Sequence, residues 1–328
     1  MPSSFDQKDS FNRGYFIALL SAAILSTTGI LIRYLTQTYH LPALILAFWR
    51  DVFVAGALAP VLAVVRPQLL KLPVKHIVYM VIYGFILAVF NSMWTLSVAL
   101  NGAAVATVMV YCSAAFTALL GWWFLKEKLG VSKLLAVALS LGGCLLVSGA
   151  LQQSNWDAHF MGILTGILAG LGYAVYSLLG RSASQRGLNP WTTLVYTFAI
   201  AAVFLLGFNL IPGGIIPGAA AKPADLFWPG LTAMGWLILF LMAAGPTVLG
   251  FGTYNISLTY LPSSVANLIA TSEPVFTTIT AYFLFGERLS FIQLIGSLMI
   301  VSGVVVIRVS EGLKKPAAKN QALVIEQK

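Results

Sequence analysis

The sequence predicts an all-α polytopic membrane protein whose ten transmembrane helices form two five-helix repeats of inverted topology. Three observations predict it. Of the 328 residues, 59% are hydrophobic and only 9% are charged, against roughly a quarter charged in soluble domains. A soluble chain of this length cannot hide that much apolar surface in one or two cores, whereas lipid can surround it. The apolar residues also gather into runs of about 20, the length a helix needs to cross the hydrocarbon core. Finally, the second half of the chain repeats the first, and each unit holds an odd number of runs.

Taken in order, the runs place spans at 15–35, 44–65, 77–98, 103–125 and 131–150. The second five fall at 161–181, 191–211, 232–256, 263–285 and 289–308. The first run is too long for a signal peptide and lacks a cleavage motif, so it stays as the first span. Turn-forming residues separate the runs: His40-Leu41-Pro42, Arg66-Pro67, Asn101-Gly102, Asn189-Pro190 and Leu261-Pro262. The organisation is then an N-terminal tail (1–14), a first repeat (15–150), a linker (151–160), a second repeat (161–308) and a C-terminal tail (309–328). The longest loop, Pro212 to Pro229, is rich in Gly, Pro and Ala and is expected to cover one face. Beyond Arg308 the chain turns polar and basic, with Lys314, Lys315 and Lys319, the composition of a disordered tail.

Lysine and arginine set the orientation. With the N-terminus in the cytoplasm, fifteen of the nineteen basic residues lie on the cytoplasmic side. Arg33, Lys222 and Arg288 lie outside, and Arg50 falls within the second span. One missed span would invert everything downstream, so both termini are expected in the cytoplasm of a cell bounded by a plasma (inner) membrane. The net charge of +9 is spread between apolar runs without a patch of interleaved aromatics, which argues against a nucleic-acid partner. Cys112 and Cys144 lie inside apolar runs, and His40, His76 and His159 are scattered in or beside loops. Neither set has metal-ligand or disulfide spacing, and no cofactor is implied.

The repeat has a register of 160 residues without gaps, Trp94 to Val147 lying over Tyr254 to Ile307. Ser97 meets Ser257, Phe116-Thr117 meets Phe276-Thr277, Glu127 meets Glu287, and Gly143 meets Gly303. Earlier helices match more weakly at an offset of 148, as in Gly14/Gly162, Arg33/Arg181 and Pro42/Pro190. An odd number of spans per unit forces the halves to cross in opposite senses, the inverted repeat common among secondary transporters. The Lys126-Glu127-Lys128 corner then falls inside and its twin Gly286-Glu287-Arg288 outside.

These residues carry a resemblance. Ser257 to Ala266, then Glu273-Pro274-Val275-Phe276, Phe285-Gly286-Glu287-Arg288-Leu289 and the closing Gly303 run resemble the EamA family of the drug/metabolite transporter superfamily. The first half repeats the pattern less faithfully, through Ala99-Leu100, Ala103-Ala104 and Lys126-Glu127-Lys128-Leu129. The resemblance spans nearly the whole chain as two EamA units. It implies a ten-helix carrier of small molecules, amino acids and other metabolites among them, working by alternating access without ATP. One departure separates the halves: Ser113-Ala114 stands where the second half has Glu273-Pro274.

Glu273 is the foremost site candidate. It lies about ten residues into the ninth span, near the membrane midplane at 1.5 Å per residue. A carboxylate there costs several kcal/mol unless protonated, paired or hydrated. It is read as a proton-coupling group or a partner for a cationic solute group, against a structural acid. Pro274 removes a backbone donor and loosens the local helix, while Pro246, among Gly245, Gly250 and Gly252, marks a hinge in the eighth span. Arg50 either meets a solute carboxylate or Glu273 in a cavity, or snorkels to the outer interface. Its neighbour Asp51 points elsewhere on the helix and is not expected to neutralise it.

Tyr111, eight residues into the fourth span, and Tyr176 are cavity candidates, and Asn91 and Asn267 are amides that need partners inside the membrane. Trp94 and Tyr254, related by the repeat, are expected near helix ends, where belts or gates occur. Glu127 reads as a structural corner residue. Gly162, Gly166 and Gly170 form a smooth face for close helix packing.

A transporter of small solutes is therefore the first reading, with protons a candidate coupling ion and the protein a monomer or weak homo-oligomer in the bilayer. A membrane enzyme would need converging nucleophiles, acids or metal ligands. A channel would favour rings of like residues from a symmetric oligomer rather than fused, diverged halves. Sugar phosphates want several buried cations, and only Arg50 qualifies.

Overall fold

The structure, a computed structural model, describes residues 4–147, 160–211, 215–276, 279–280 and 290–325. The described residues are helical, without a strand. The helices are α1 (Ser4–Thr38), α2 (Ala43–Val65), α3 (Ile77–Tyr111), α4 (Ser113–Leu125), α5 (Val131–Val147), α6 (Phe160–Gln185) and α7 (Pro190–Asn209). They continue as the single turn α8 (Pro223–Phe227), α9 (Ala233–Met242), α10 (Val248–Tyr260), α11 (Ser263–Ala270) and α12 (Phe291–Ile325). Seven described stretches are long and apolar enough to cross a membrane, and two shorter apolar helices cover Met109–Leu125 and Val131–Leu146. With the ninth span, which starts at Ser263, they make up the ten-helix, two-repeat fold.

The break expected at Asn101-Gly102 is not a break in helical hydrogen bonding, which runs on from Ile77 to Tyr111. A straight helix would hold Ser97 and Met109 about 18 Å apart along its axis. Yet a Cβ on Gly166 would lie 2.8 Å from Ser97 Oγ and 2.5 Å from Met109 Cβ. The chain therefore doubles back between these residues and crosses twice, as spans three and four.

Packing follows the repeat. α1 lies on α10, and its mirror contact places α3 on α6. α2 meets its twin α7, α4 meets α11, and α5 meets α12. The last pair approaches closely: a Cβ at Gly143 would come 2.6 Å from Gly296 O, and one at Gly303 would come 2.8 Å from Ala136 O. Gly296 and Ala136 are themselves repeat partners, so only glycine on both sides permits the approach. Gly166 and Gly170 seat the reversed chain in the same way, and a Cβ on Gly170 would come 3.0 Å from Val110 O.

The ninth span breaks early. Thr271 and Ser272 form a turn before the helix resumes at Glu273, and Pro274 has no N–H to return to the preceding turn. The fourth span breaks in the same register at Cys112. There Cys112 N–H bonds Met109 O at 3.2 Å, and the repeat-related Ser272 N–H bonds Ile269 O at 3.0 Å. The first half does this without a proline, so the break belongs to the repeat rather than to Pro274 alone. Pro246 sits within a wider turn, Ala243–Thr247, where Thr247 Oγ1 donates to Met242 O at 2.9 Å. The helix is thus locally widened at the proline.

The loop after α7 covers the start of α2: Leu44 N–H donates to Gly218 O at 2.8 Å and Trp49 Nε1 to Leu226 O at 2.8 Å. The first bond satisfies a backbone donor that a helix start leaves open, and the second holds the indole ring to the loop. Two expectations change. The segment after Arg308, read as a disordered tail, is helical to Ile325, in keeping with its Ala, Lys, Gln and Leu, which favour helix. Glu127 does more than hold its own corner. Its Oε1 accepts from Ser263 N at 2.9 Å and Ser263 Oγ at 2.7 Å, and its Oε2 from Ser264 N at 3.4 Å. It therefore caps α11 from the other half, with Lys133 Nζ 3.6 Å away. The Gly286-Glu287-Arg288 corner, most of the 151–160 linker, Pro212 and the ends of spans five and nine lie outside the described residues.

Candidate functional site

A cavity of about 50 Å³ lies where the halves meet. α1 contributes Leu25, Thr28 and Gly29, α2 Arg50, and the first leg of α3 Phe90, Asn91 and Trp94. Val110 and Tyr111 come from the fourth span, Tyr173 from α6, Phe251 from α10 and Glu273 from the ninth span. Five of the eight sequence-derived candidates thus share one wall: Glu273, Tyr111, Asn91, Arg50 and Trp94.

Glu273 is partly exposed to this space, and Tyr111 O–H donates to its Oε2 at 2.6 Å. The pair joins the two repeats, one partner from each. It also joins the two helix breaks, since Tyr111 precedes Cys112 and Glu273 follows Ser272. Carbonyls at such breaks can face a cavity where an unbroken helix would hide them.

Arg50 does not snorkel: it is 2% exposed. The expectation that Asp51 would not neutralise it also fails, because Arg50 Nε lies 3.4 Å from Asp51 Oδ1. The long arginine stem reaches round the helix, and burial of both groups leaves no water to compete. Asp51 also accepts two bonds from Asn91 Nδ2, at 3.0 and 2.7 Å. Asp51 is thus a fully buried carboxylate in the spans, beside the partly exposed Glu273. The signal that singled out Glu273, an acid inside an apolar run, was equally present there.

Tyr176, Asn267 and Tyr254 stand behind the wall. Ser113 Oγ donates to Asn267 Oδ1 at 3.0 Å, Asn267 Nδ2 to Ser177 Oγ at 3.2 Å, and Ser177 Oγ lies 2.6 Å from Tyr254 O–H. Asn255 Nδ2 donates to Tyr176 O–H at 3.1 Å. Trp94 and Tyr254 are 8% and 1% exposed, so neither belongs to an interfacial belt. Tyr173 stacks on Phe90, ring centres 5.2 Å apart, and lies 5.4 Å from Tyr254. Thr28, Phe90 and Phe251 were not candidates. Nothing in their local sequence separates them from packing residues, and only the tertiary fold brings them together.

The arrangement places one cation, a hydrogen-bonded acid and aromatic faces around one cavity between two pseudo-symmetric halves. The EamA-like transporter family model matches residues 12–149 and 160–309. An uncharacterized transporter of Archaeoglobus fulgidus is 27% identical over 67% of this chain and 74% of its own. A Salmonella typhimurium protein described as a "probable amino-acid metabolite efflux pump" is 25% identical over 88% of this chain and 92% of its own. A crystal structure superposes with TM-score 0.70 at 16% identity, covering 93% of this chain and 99% of that one, which shows the shared fold. Two matched units, ten apolar helices and transporter relatives lead to one conclusion: the chain is a multi-pass integral membrane protein that belongs to the EamA-like transporter family.

Proposed function

We propose that the protein is a secondary carrier that exports amino acids or similar small amphipathic solutes by alternating access, coupled to protons through Glu273. The observation that carries this reading is the Tyr111–Glu273 hydrogen bond of 2.6 Å, made across the repeat interface at two matched helix breaks. A carrier must alternate between states that open on either side, and inverted repeats supply two related packings of one interface. Gaining or losing a proton on Glu273 changes the charge at that interface, so the proton and the packing are linked. The aromatic wall suits an amphipathic cargo, and the Salmonella relative's description supports amino acids and outward transport. The lysine and arginine distribution supports cytoplasmic termini in a plasma (inner) membrane. One chain contains both halves, so a monomer suffices, and no nucleic acid takes part.

The test is uptake of a labelled amino-acid panel into liposomes, with and without a pH gradient, for wild type and Glu273→Gln. Gradient-driven, saturable uptake that the variant loses is the expected result. Equal gradient-independent uptake by both proteins refutes the coupling role.

A further inference from the structure

We propose that a lateral cleft between α2 and α10 is a binding site for one anionic phospholipid, its acyl chain in the cleft and its phosphate on Arg66. The cleft has a volume of about 590 Å³, within the roughly 300–1,000 Å³ of ligand pockets and far above the 50 Å³ of the central cavity. α2 packs on α9 and on the widened turn Ala243–Thr247, then parts from α10. Ala57, Val61 and Val65 line one side of the gap, and Val248 and Leu249 the other. Val61, Val65 and Leu249 are exposed at the rim, so the cleft opens sideways, where a multi-pass chain meets lipid. One end is charged. Arg66 follows the last residue of α2, Trp191 stands in the first turn of α7, and both line the cleft. Thr192 Oγ1 donates to Leu69 O and Tyr196 O–H to Leu70 O, each at 2.7 Å, which fixes the loop that carries Arg66.

Length and charge identify the occupant. From Ala57 to Arg66 α2 rises about 14 Å, about half of the 30 Å hydrocarbon core. With cytoplasmic termini Arg66 lies at the inner surface, so the cleft runs the depth of one leaflet, from headgroup level to midplane, as a lipid does. The placement rests on the orientation proposed for the carrier and on none of its transport chemistry. Lipid tails are as apolar as the cleft walls, so an acyl chain gains little by leaving its neighbours. Selection falls to the head, where a guanidinium matches a phosphate. Arg66 is exposed and makes no ion pair among the described residues. Lys71 and Lys75 follow it before the next helix, and no acidic residue occurs between Asp51 and Glu127. A zwitterionic head brings its own cation to this basic surface and loses part of the attraction. A second copy of the chain seated here would bury Arg66 without a counter-charge, since the residues lining the cleft include no acid.

Mass spectrometry of the intact full-length protein, released from detergent, counts the lipids that stay bound. The probes are phosphatidylglycerol and phosphatidylcholine with identical acyl chains. Wild type is expected to hold one phosphatidylglycerol about fivefold more tightly than phosphatidylcholine, the preference that one basic side chain supports beside an anionic head. Arg66→Gln should abolish that preference, whereas Lys128→Gln, at another exposed basic corner, should leave it unchanged. Val61→Trp, which fills the cleft from its rim, should displace the bound lipid. Equal binding of the two lipids by wild type overturns the proposal, and that comparison needs no variant to fold. An unchanged preference in Arg66→Gln also overturns it, as does a tightly held lipid that survives Val61→Trp. A wild-type dimer that Val61→Trp dissolves would overturn it by giving the cleft to a second copy. Failure of gradient-driven uptake would count against the carrier reading and leave the lipid site standing, because bound lipid is counted without transport.

Discussion

Neutralising Asp51 tests the buried charge cluster that shapes the cavity. Asp51 and Arg50 are 0% and 2% exposed and 3.4 Å apart, and Asn91 gives Asp51 two further bonds. Asp51→Asn keeps the side-chain size and removes the charge, leaving the guanidinium in the same dry surroundings. Breaking a buried pair from one side costs about 3–5 kcal/mol. Arg50→Met should cost less, because Asp51 keeps the two Asn91 bonds and can take up a proton instead of staying charged. Replacing both residues removes charge and counter-charge together, so the double variant should be more stable than the sum of the singles by about 1–3 kcal/mol. The assay is loss of helical circular dichroism during denaturant titration in mild detergent, on all four proteins of the cycle. A cost under about 1 kcal/mol for Asp51→Asn, or strict additivity in the double variant, would refute the claim that the two charges depend on each other.

Two further outcomes follow from the packing. Gly143→Val and Gly303→Val should each lower stability by about 1–3 kcal/mol in the same titration, because each new Cβ meets a backbone oxygen across the α5–α12 contact. The costs should be similar, since the residues are symmetry partners, and a harmless change at either would count against that contact. Glu127→Ala should cost about 1–2 kcal/mol by uncapping α11. Glu127→Gln, which still accepts hydrogen bonds, should cost less, and equal costs would mean that the cap contributes nothing.

Periodicity and length made the ten spans legible, because lipid demands long apolar runs whatever the tertiary fold. The register linking Gly143 to Gly303 and Ser113 to Glu273 was legible too, and the matched backbone bonds of Cys112 and Ser272 follow it. The reversal inside α3 was harder to place, since Asn101-Gly102 marks a turn whether or not helical bonding continues through it. Glu273 stood out because an acid is costly at the midplane. Asp51 carried the same signal, but the directions of consecutive side chains at their first carbons hid it: a long arginine reaches past the divergence that separates shorter neighbours. Glu127 was legible as structural, while its partners Ser263 and Ser264 lie 136 and 137 residues on, a pairing that only the inverted fold creates. Thr28, Phe90 and Phe251 look like packing residues until three helices bring them to one cavity.

The central claim is alternating access, and counterflow tests it most directly. Liposomes holding the protein are loaded with a high concentration of unlabelled amino acid and diluted into a trace of the labelled form. A carrier whose site faces one side at a time predicts that internal label rises transiently above the external level before falling back. Label that only climbs to equality, at a rate indifferent to the unlabelled load, would mean a continuous pore and contradict the account.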